Sequence, residues 1–156
     1  MAGPIDIEPN RMDAWVGFVH AHAQMMGKLG ADLDAAGQVS LRSYDVLVQL
    51  SEAGGELRLR DLLQRLVISQ PSLSRKTEKL VAAGLVSRSP DPRDGRGQVI
   101  TLTATGRAAL LAAAKIHMSG IDREFGQRLT DDEAAVLATV FRRLRNPLLA
   151  VPTLKN

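Results

Sequence analysis

The sequence predicts a mainly α-helical fold carrying one small antiparallel β-hairpin. Three observations lead there. Apolar residues recur at helical spacing through 10–36 and again from 104 towards the C-terminus. Two short stretches, Leu85-Val86-Ser87-Arg88 and Gln98-Val99-Ile100-Thr101-Leu102, instead alternate apolar and polar residues, as half-buried strands do. Between them lies Pro90-Asp91-Pro92-Arg93-Asp94-Gly95-Arg96-Gly97, rich in turn formers.

The chain has 156 residues, enough for one domain with a real core. Aromatic residues make up only 3%, so the interior must rest on Leu, Val, Ala and Met. With no cysteine, disulfides, thiolate metal sites and thiol redox switches are excluded. No apolar run is long enough to span a membrane. The start, MAGPIDIEPN, lacks the basic-then-apolar pattern of a signal sequence, so a cytoplasmic protein is expected. The net charge of +3 is small, but it is unevenly placed. Residues 56–107 hold ten Lys/Arg against five Asp/Glu, a net +5 that leaves −2 for the rest. Positive charge is thus concentrated on the segment with the hairpin, as attraction to a polyanion requires.

Residues 1–9 contain two prolines and read as a loose arm. Asn10 is the expected cap of a long helix to about residue 36, with Trp15, Val19, His22, Met26, Leu29 and Leu33 at near-helical spacing. Such a helix carries more apolar surface than one compact domain covers, which predicts a subunit interface with Trp15 as a packing anchor. His20 and His22 sit two apart and point in nearly opposite directions, unlike a helical metal pair; no metal and no cofactor are expected. Gly37 ends this helix, and Ser40 caps the next, 41–53, which buries Val46, Leu47 and Leu50. Gly54-Gly55 end it. Glu56-Leu57-Arg58 suits a short strand joining the hairpin sheet, and 60–66 a brief helix with Leu62, Leu63 and Leu66 inward.

The turn Val67-Ile68 leads to a helix from Ser69, its expected N-cap, through Pro71 in the first turn to about residue 83, with Gly84 as the C-terminal stop. At about 100° per residue, Leu73, Thr77, Leu80 and Val81 share one side. Ser72, Arg75 and Lys79 fall opposite, with Ser74 and Lys76 on the flanks. A basic hairpin follows directly, with Arg93 and Arg96 near its tip, suited to the narrow electronegative minor groove of A·T-rich DNA. Asp91 and Asp94 are expected to pair with those arginines or to cap the turn. After the hairpin, Thr103 caps a long helix from about 104 to 129, weakened at Gly120 and Gly126. Thr130-Asp131-Asp132-Glu133 is a capping box. The last helix should face Ala134, Leu137, Val140, Phe141 and Leu144 inward and close at Pro147, its basic end Arg142-Arg143-Arg145 complementing the helix dipole. Leu148, Leu149 and Val151 beyond it again suggest a partner chain.

The stretch from Ser69 to Thr103 resembles the recognition helix and wing of the MarR family of bacterial transcription regulators. The most specific piece is Asp91-Pro92-Arg93-Asp94-Gly95-Arg96, followed by Leu102-Thr103 and Gly106-Arg107; Gly84-Leu85-Val86 with Arg88, and Ser40 to Leu47, are further matching pieces. In element order the resemblance covers roughly residues 10 to 146. It implies a winged helix-turn-helix reading head, 40–103, interwoven with long dimerisation helices, 10–36 and 104–150. A symmetric homodimer would set two recognition helices about one turn of B-DNA (~34 Å) apart over an inverted repeat. The expected DNA-binding residues are Ser69, Pro71, Ser72, Ser74, Arg75, Lys76 and Lys79 in or beside the major groove, with Arg96 in the minor groove and Arg93 supporting it. The resemblance further implies a repressor that releases DNA when a small, often aromatic and anionic effector binds. Its crevice between the dimer helices and the head would be lined by Trp15, His22, Tyr44, Arg60 and Asp61. The peroxide-sensing branch of the family needs cysteine and is excluded. No nucleophile, acid pair or glycine-rich phosphate loop is placed for catalysis, so an enzyme is not expected. The alternative reading is a winged helix that contacts protein or RNA instead of DNA.

Overall fold

The structure is a computed structural model that describes residues 7–144, apart from the side chain of Arg96. Arg145, Pro147, Leu148, Leu149 and Val151, and the greater part of the expected arm, lie outside the described residues.

Helix α1 (Pro9–Ala35) opens on the Glu8 carboxylate, which accepts hydrogen bonds from the Asn10 and Arg11 amides, each at 3.2 Å. Asn10 was the expected cap. It lies inside the first turn instead, because Pro9 has no N–H to satisfy and its fixed φ suits the first helical position. Helix α2 (Leu41–Glu52) begins at Ser40, whose Oγ accepts from the Ser43 amide at 3.3 Å. Gly54 and Gly55, at φ 87° and 106°, turn the chain into strand β1 (Glu56–Arg58). Helix α3 (Leu59–Gln64) starts and ends slightly earlier than the sequence suggests, and α4 (Gln70–Ala82) follows the turn.

Strands β2 (Val86–Asp91) and β3 (Asp94–Leu102) form the hairpin, and β1 joins on the other side of β3, giving an antiparallel sheet of order β1-β3-β2. The strands reach further towards the tip than their alternation predicts, leaving only Pro92 and Arg93 as the turn. The register shifts between Pro90 and Asp91, where proline cannot donate to the ladder. Helix α5 (Ala104–Glu124) stops short of the expected residue 129; Phe125 leaves helical geometry and a 3-10 turn, Gly126–Arg128, follows. Helix α6 (Asp131–Leu144) starts on the capping box: the Glu133 amide donates to Thr130 Oγ1, and the Thr130 amide donates back to the Glu133 carboxylate at 2.8 Å.

The core lies under the reading head. Leu33 of α1, Leu47 and Leu50 of α2, Leu62 of α3, Leu73 of α4, Ile100 of β3 and Ala113 of α5 are fully buried and belong to one cluster. Each buried leucine there contributes roughly 2 kcal/mol of transfer free energy. Val81 departs from the expected buried face of α4 and is exposed.

The joint between head and long helix is tight. The Thr103 hydroxyl donates towards the carbonyls of Gly84 (2.7 Å) and Leu85 (2.9 Å) and accepts from the Gly106 amide (2.9 Å). Gly106 sits so close to the end of α4 that a Cβ there would meet the Leu85 carbonyl oxygen at 1.9 Å. At the other end of α5, Glu124 is enclosed by Lys28 (2.7 Å), Arg123 (2.9 Å) and Arg128 (3.1 Å), while Arg123 also reaches Asp32 (2.6 Å). Hydrogen bonds from Lys28 and Arg123 hold the Glu124 carboxyl down at about 2.

Helix α6 departs from expectation. None of its residues is buried: Leu137, Val140 and Phe141 are half-buried, Ala134 is exposed, and Leu144 is 75% exposed. Within the chain its contact with α1 includes the Phe18–Phe141 ring pair at 5.6 Å, and among the described residues the apolar face beyond has no cover. Trp15 of α1 is likewise 61% exposed.

Gly106→Ala should cost ~3 kcal/mol or more in urea unfolding, since the methyl meets backbone and not a yielding side chain. Gly17→Ala, in open space on α1, should be neutral or stabilising by up to ~1 kcal/mol. Because the Glu124 pKa is lowered on folding, its contribution is present above the unfolded value near 4.5 and is lost as pH falls towards about 2. Acid titration of stability should therefore flatten in Glu124→Gln across that window.

Candidate nucleic-acid interface

Helix α4 presents two chemically distinct sides. Leu73, Thr77 and Leu80 are buried, whereas Pro71, Arg75 and Lys79 are exposed and Ser72, Ser74 and Lys76 half-buried. Gln70, at its first residue, is exposed too. Ser69 stands at the N-cap position but does not cap through its side chain; its hydroxyl donates to Ser72 Oγ at 2.9 Å. The Arg75 guanidinium makes a long contact to the Pro71 carbonyl, 3.4 Å, and otherwise extends along the helix surface. Partial burial, with the charges of Arg42 and Lys79 nearby, lowers the pKa of Lys76.

The helix is pinned from behind by the sheet. Thr77 Oγ1 donates to the Ser74 carbonyl (2.8 Å) and accepts from Arg88 Nη2 (2.7 Å). Arg88, on β2, thereby fixes the angle between α4 and the wing. That role was not visible in the sequence, where Arg88 is one more cation beside a strand.

Asp91 organises the wing. It is buried, and its carboxylate takes the Arg93 amide at 2.9 Å and Arg58 Nε at 2.8 Å. Its ionic partner is thus Arg58 of β1 and not Arg93 of the turn. The pair ties the turn end of the hairpin to the third strand and leaves the Arg93 side chain exposed. Gly97 packs onto this carboxylate, where a Cβ would come within 3.0 Å of Asp91 Cβ. Asp94 begins β3 opposite Asp91 and is exposed. The Arg96 side chain, expected in the minor groove, lies outside the described residues.

The five expected effector residues divide among different surroundings. Trp15 lines a recess with Ile7, Arg11 and Met12, and His22 packs on Phe18 with ring centroids 6.0 Å apart. Tyr44 is buried against His117, centroids 4.7 Å apart. Burial raises the Tyr44 pKa and lowers that of His117, so both are favoured neutral. Arg60 and Asp61 form an exposed ion pair at 3.5 Å on α3. A single chain does not bring the five into one cavity wall.

Comparison with known proteins places this geometry. The model of the MarR family matches residues 38–97, from the approach to α2 through the wing. The transcriptional regulator HosA of Escherichia coli O111:H- is 33% identical over 85 residues, which are 54% of this chain and 62% of HosA. The matched region is thus a little under two thirds of that relative. The MarR family regulator Sco3205 of Streptomyces coelicolor, solved in complex with DNA, has a TM-score of 0.83 at 24% identity, covering 99% of this chain and 100% of its own. The organohalide-sensing regulator RdhR-CbdbA1625, solved with 2,4-dichlorophenol bound, has a TM-score of 0.77 at 18% identity, covering 100% and 97%.

Arg58→Ala strands the buried Asp91 carboxylate and should cost about 3 kcal/mol. Hydrogen exchange should accelerate through residues 86–102 while α1 and α5 stay protected.

Proposed function

We propose that the chain is a transcription regulator of the MarR family, a homodimeric, sequence-specific DNA-binding protein acting on an inverted-repeat operator. The observation that carries the reading is the exposed cationic side of α4, backed by the buried core and flanked by a wing whose turn end is held by the Arg58–Asp91 pair. Arg75, Lys76 and Lys79 meet the major groove and its phosphates, with Ser69, Ser72 and Ser74 as hydroxyl donors and Pro71 as an apolar contact for a thymine methyl. Arg96 enters the minor groove, supported by Arg93.

Dimerisation follows from the uncovered apolar faces of α1 and α6. Trp15, Val136 and Leu144 are each more than 60% exposed, a costly arrangement for a lone chain. A second copy laid across them buries both faces and sets two heads at a fixed spacing. We further propose that the protein acts as a repressor relieved by a small aromatic, anionic effector. The structural relative solved with 2,4-dichlorophenol bound supports the aromatic part of that reading. The ligand would prefer a head spacing that does not fit DNA. Trp15, His22, Tyr44, Arg60 and Asp61 remain its proposed contacts, and pairing of two chains is what would bring such groups to one crevice.

Selection of bound sequences from random duplexes should return an inverted repeat. Binding of RNA or of a protein, with no duplex retained at low salt, would favour the non-DNA use of the fold. On the selected duplex, Arg96→Ala should weaken affinity roughly ten-fold with dimer mass unchanged. Leu137→Asp should shift sedimentation to monomer while circular dichroism keeps its helical signal.

A further inference from the structure

Arg42 belongs to α2, one residue into a helix whose other face is core. The fold nevertheless brings it to the same recess as Ser72, Arg75, Lys76 and Lys79 of α4, about 230 Å³ in volume. Four cations and a hydroxyl line this recess, and no carboxylate does. Among the described residues, none of the four cations forms an ion pair. Asp45, one turn along α2, feels the charges of Arg42 and Lys76 but does not line the recess. Like charges gathered around a concavity repel one another, and Lys76 holds its proton less tightly, through burial first and the charges of Arg42 and Lys79 second. A phosphate seated among them would replace that repulsion with charge-assisted hydrogen bonds.

Resting on the DNA-binding reading above, we propose that this recess seats one backbone phosphate of the bound duplex and that Arg42 is the positioning residue that clamps it from a second helix. A phosphate gripped from α4 alone leaves the helix free to roll in the groove. A grip from α2 as well removes that freedom, because α2 is anchored through fully buried Val46, Leu47 and Leu50. Phosphate contacts of this kind fix register and orientation without reading sequence.

The test is a salt series of fluorescence-anisotropy titrations with the selected duplex, using the full-length protein. Arg42→Ala should weaken binding roughly ten-fold on specific and unrelated duplexes alike and reduce the slope of log affinity against log salt by about 1 per chain. Arg42→Lys should restore most of the slope. Arg142→Ala, which removes an exposed cation of α6, should change neither. Wild-type affinity and slope in Arg42→Ala, with the wild type binding normally, would overturn the clamp and leave the DNA reading standing. Failure of the wild type to bind any duplex at low salt would overturn that reading and the clamp with it. If inorganic phosphate shifts the Ser72 and Lys76 amide resonances of DNA-free protein while Arg42→Ala leaves duplex affinity intact, the recess serves a free anion and the proposal fails.

Discussion

The seating of Gly106 beneath the Leu85 carbonyl is the constraint on which the rest of the architecture depends. Four elements converge there: the end of α4 at Gly84, the start of β2, the end of β3 and the first turn of α5. The Thr103 hydroxyl shares its one proton between two carbonyls and accepts from an amide, and the Thr103 amide also donates to the Leu85 carbonyl, so the joint is both close-packed and hydrogen-bonded. A displacement of α5 therefore has to move α4 and the wing together. For the proposed regulator, whose response would be a change in head spacing, this stiffness matters more than the strength of any one contact. Interiors packed this closely pass on a shift instead of absorbing it.

Two polar devices hold the head's parts at fixed angles. Arg88 locks α4 to the sheet through Thr77, and Arg58 holds the turn end of the hairpin through Asp91. Buried ion pairs contribute little net stability, because desolvation offsets their attraction, but they choose one arrangement among several. That suits a wing whose arginines are proposed to reach DNA. At the far end, the Glu124 cluster fastens α5 to α1 in a comparable way. Among the described residues α6 and the outer side of α1 leave their apolar faces open, which is why a second copy of the chain is proposed to cover them.

Features governed by neighbours in sequence were legible without coordinates. The Ser40 cap, the Thr130–Glu133 box, the stop at Gly84 and the order of helix, strand and returning strand each depend on a few adjacent residues. The start of α1 was misjudged because Glu8 and Asn10 both offer a capping oxygen, and Pro9 between them decides which is used. The hairpin's length was underestimated because Asp91 and Gly97 break the alternation. Asp91 is buried only because Arg58, on a different strand, neutralises it. Arg42 and Arg88 were missed for the same reason: their partners lie on other elements, and no local pattern marks a cation for one neighbour over another. For α6 the apolar stripe was clear, but a stripe does not say whether its cover is the same chain or a second one.

In the proposed complex two chains act as one reader of DNA. The most direct measurement is the stoichiometry of the complex with the selected duplex, by native mass spectrometry or sedimentation equilibrium. Two chains on each duplex, with no one-chain complex as protein is titrated in, is the predicted result. A stable complex of one chain per duplex would contradict it.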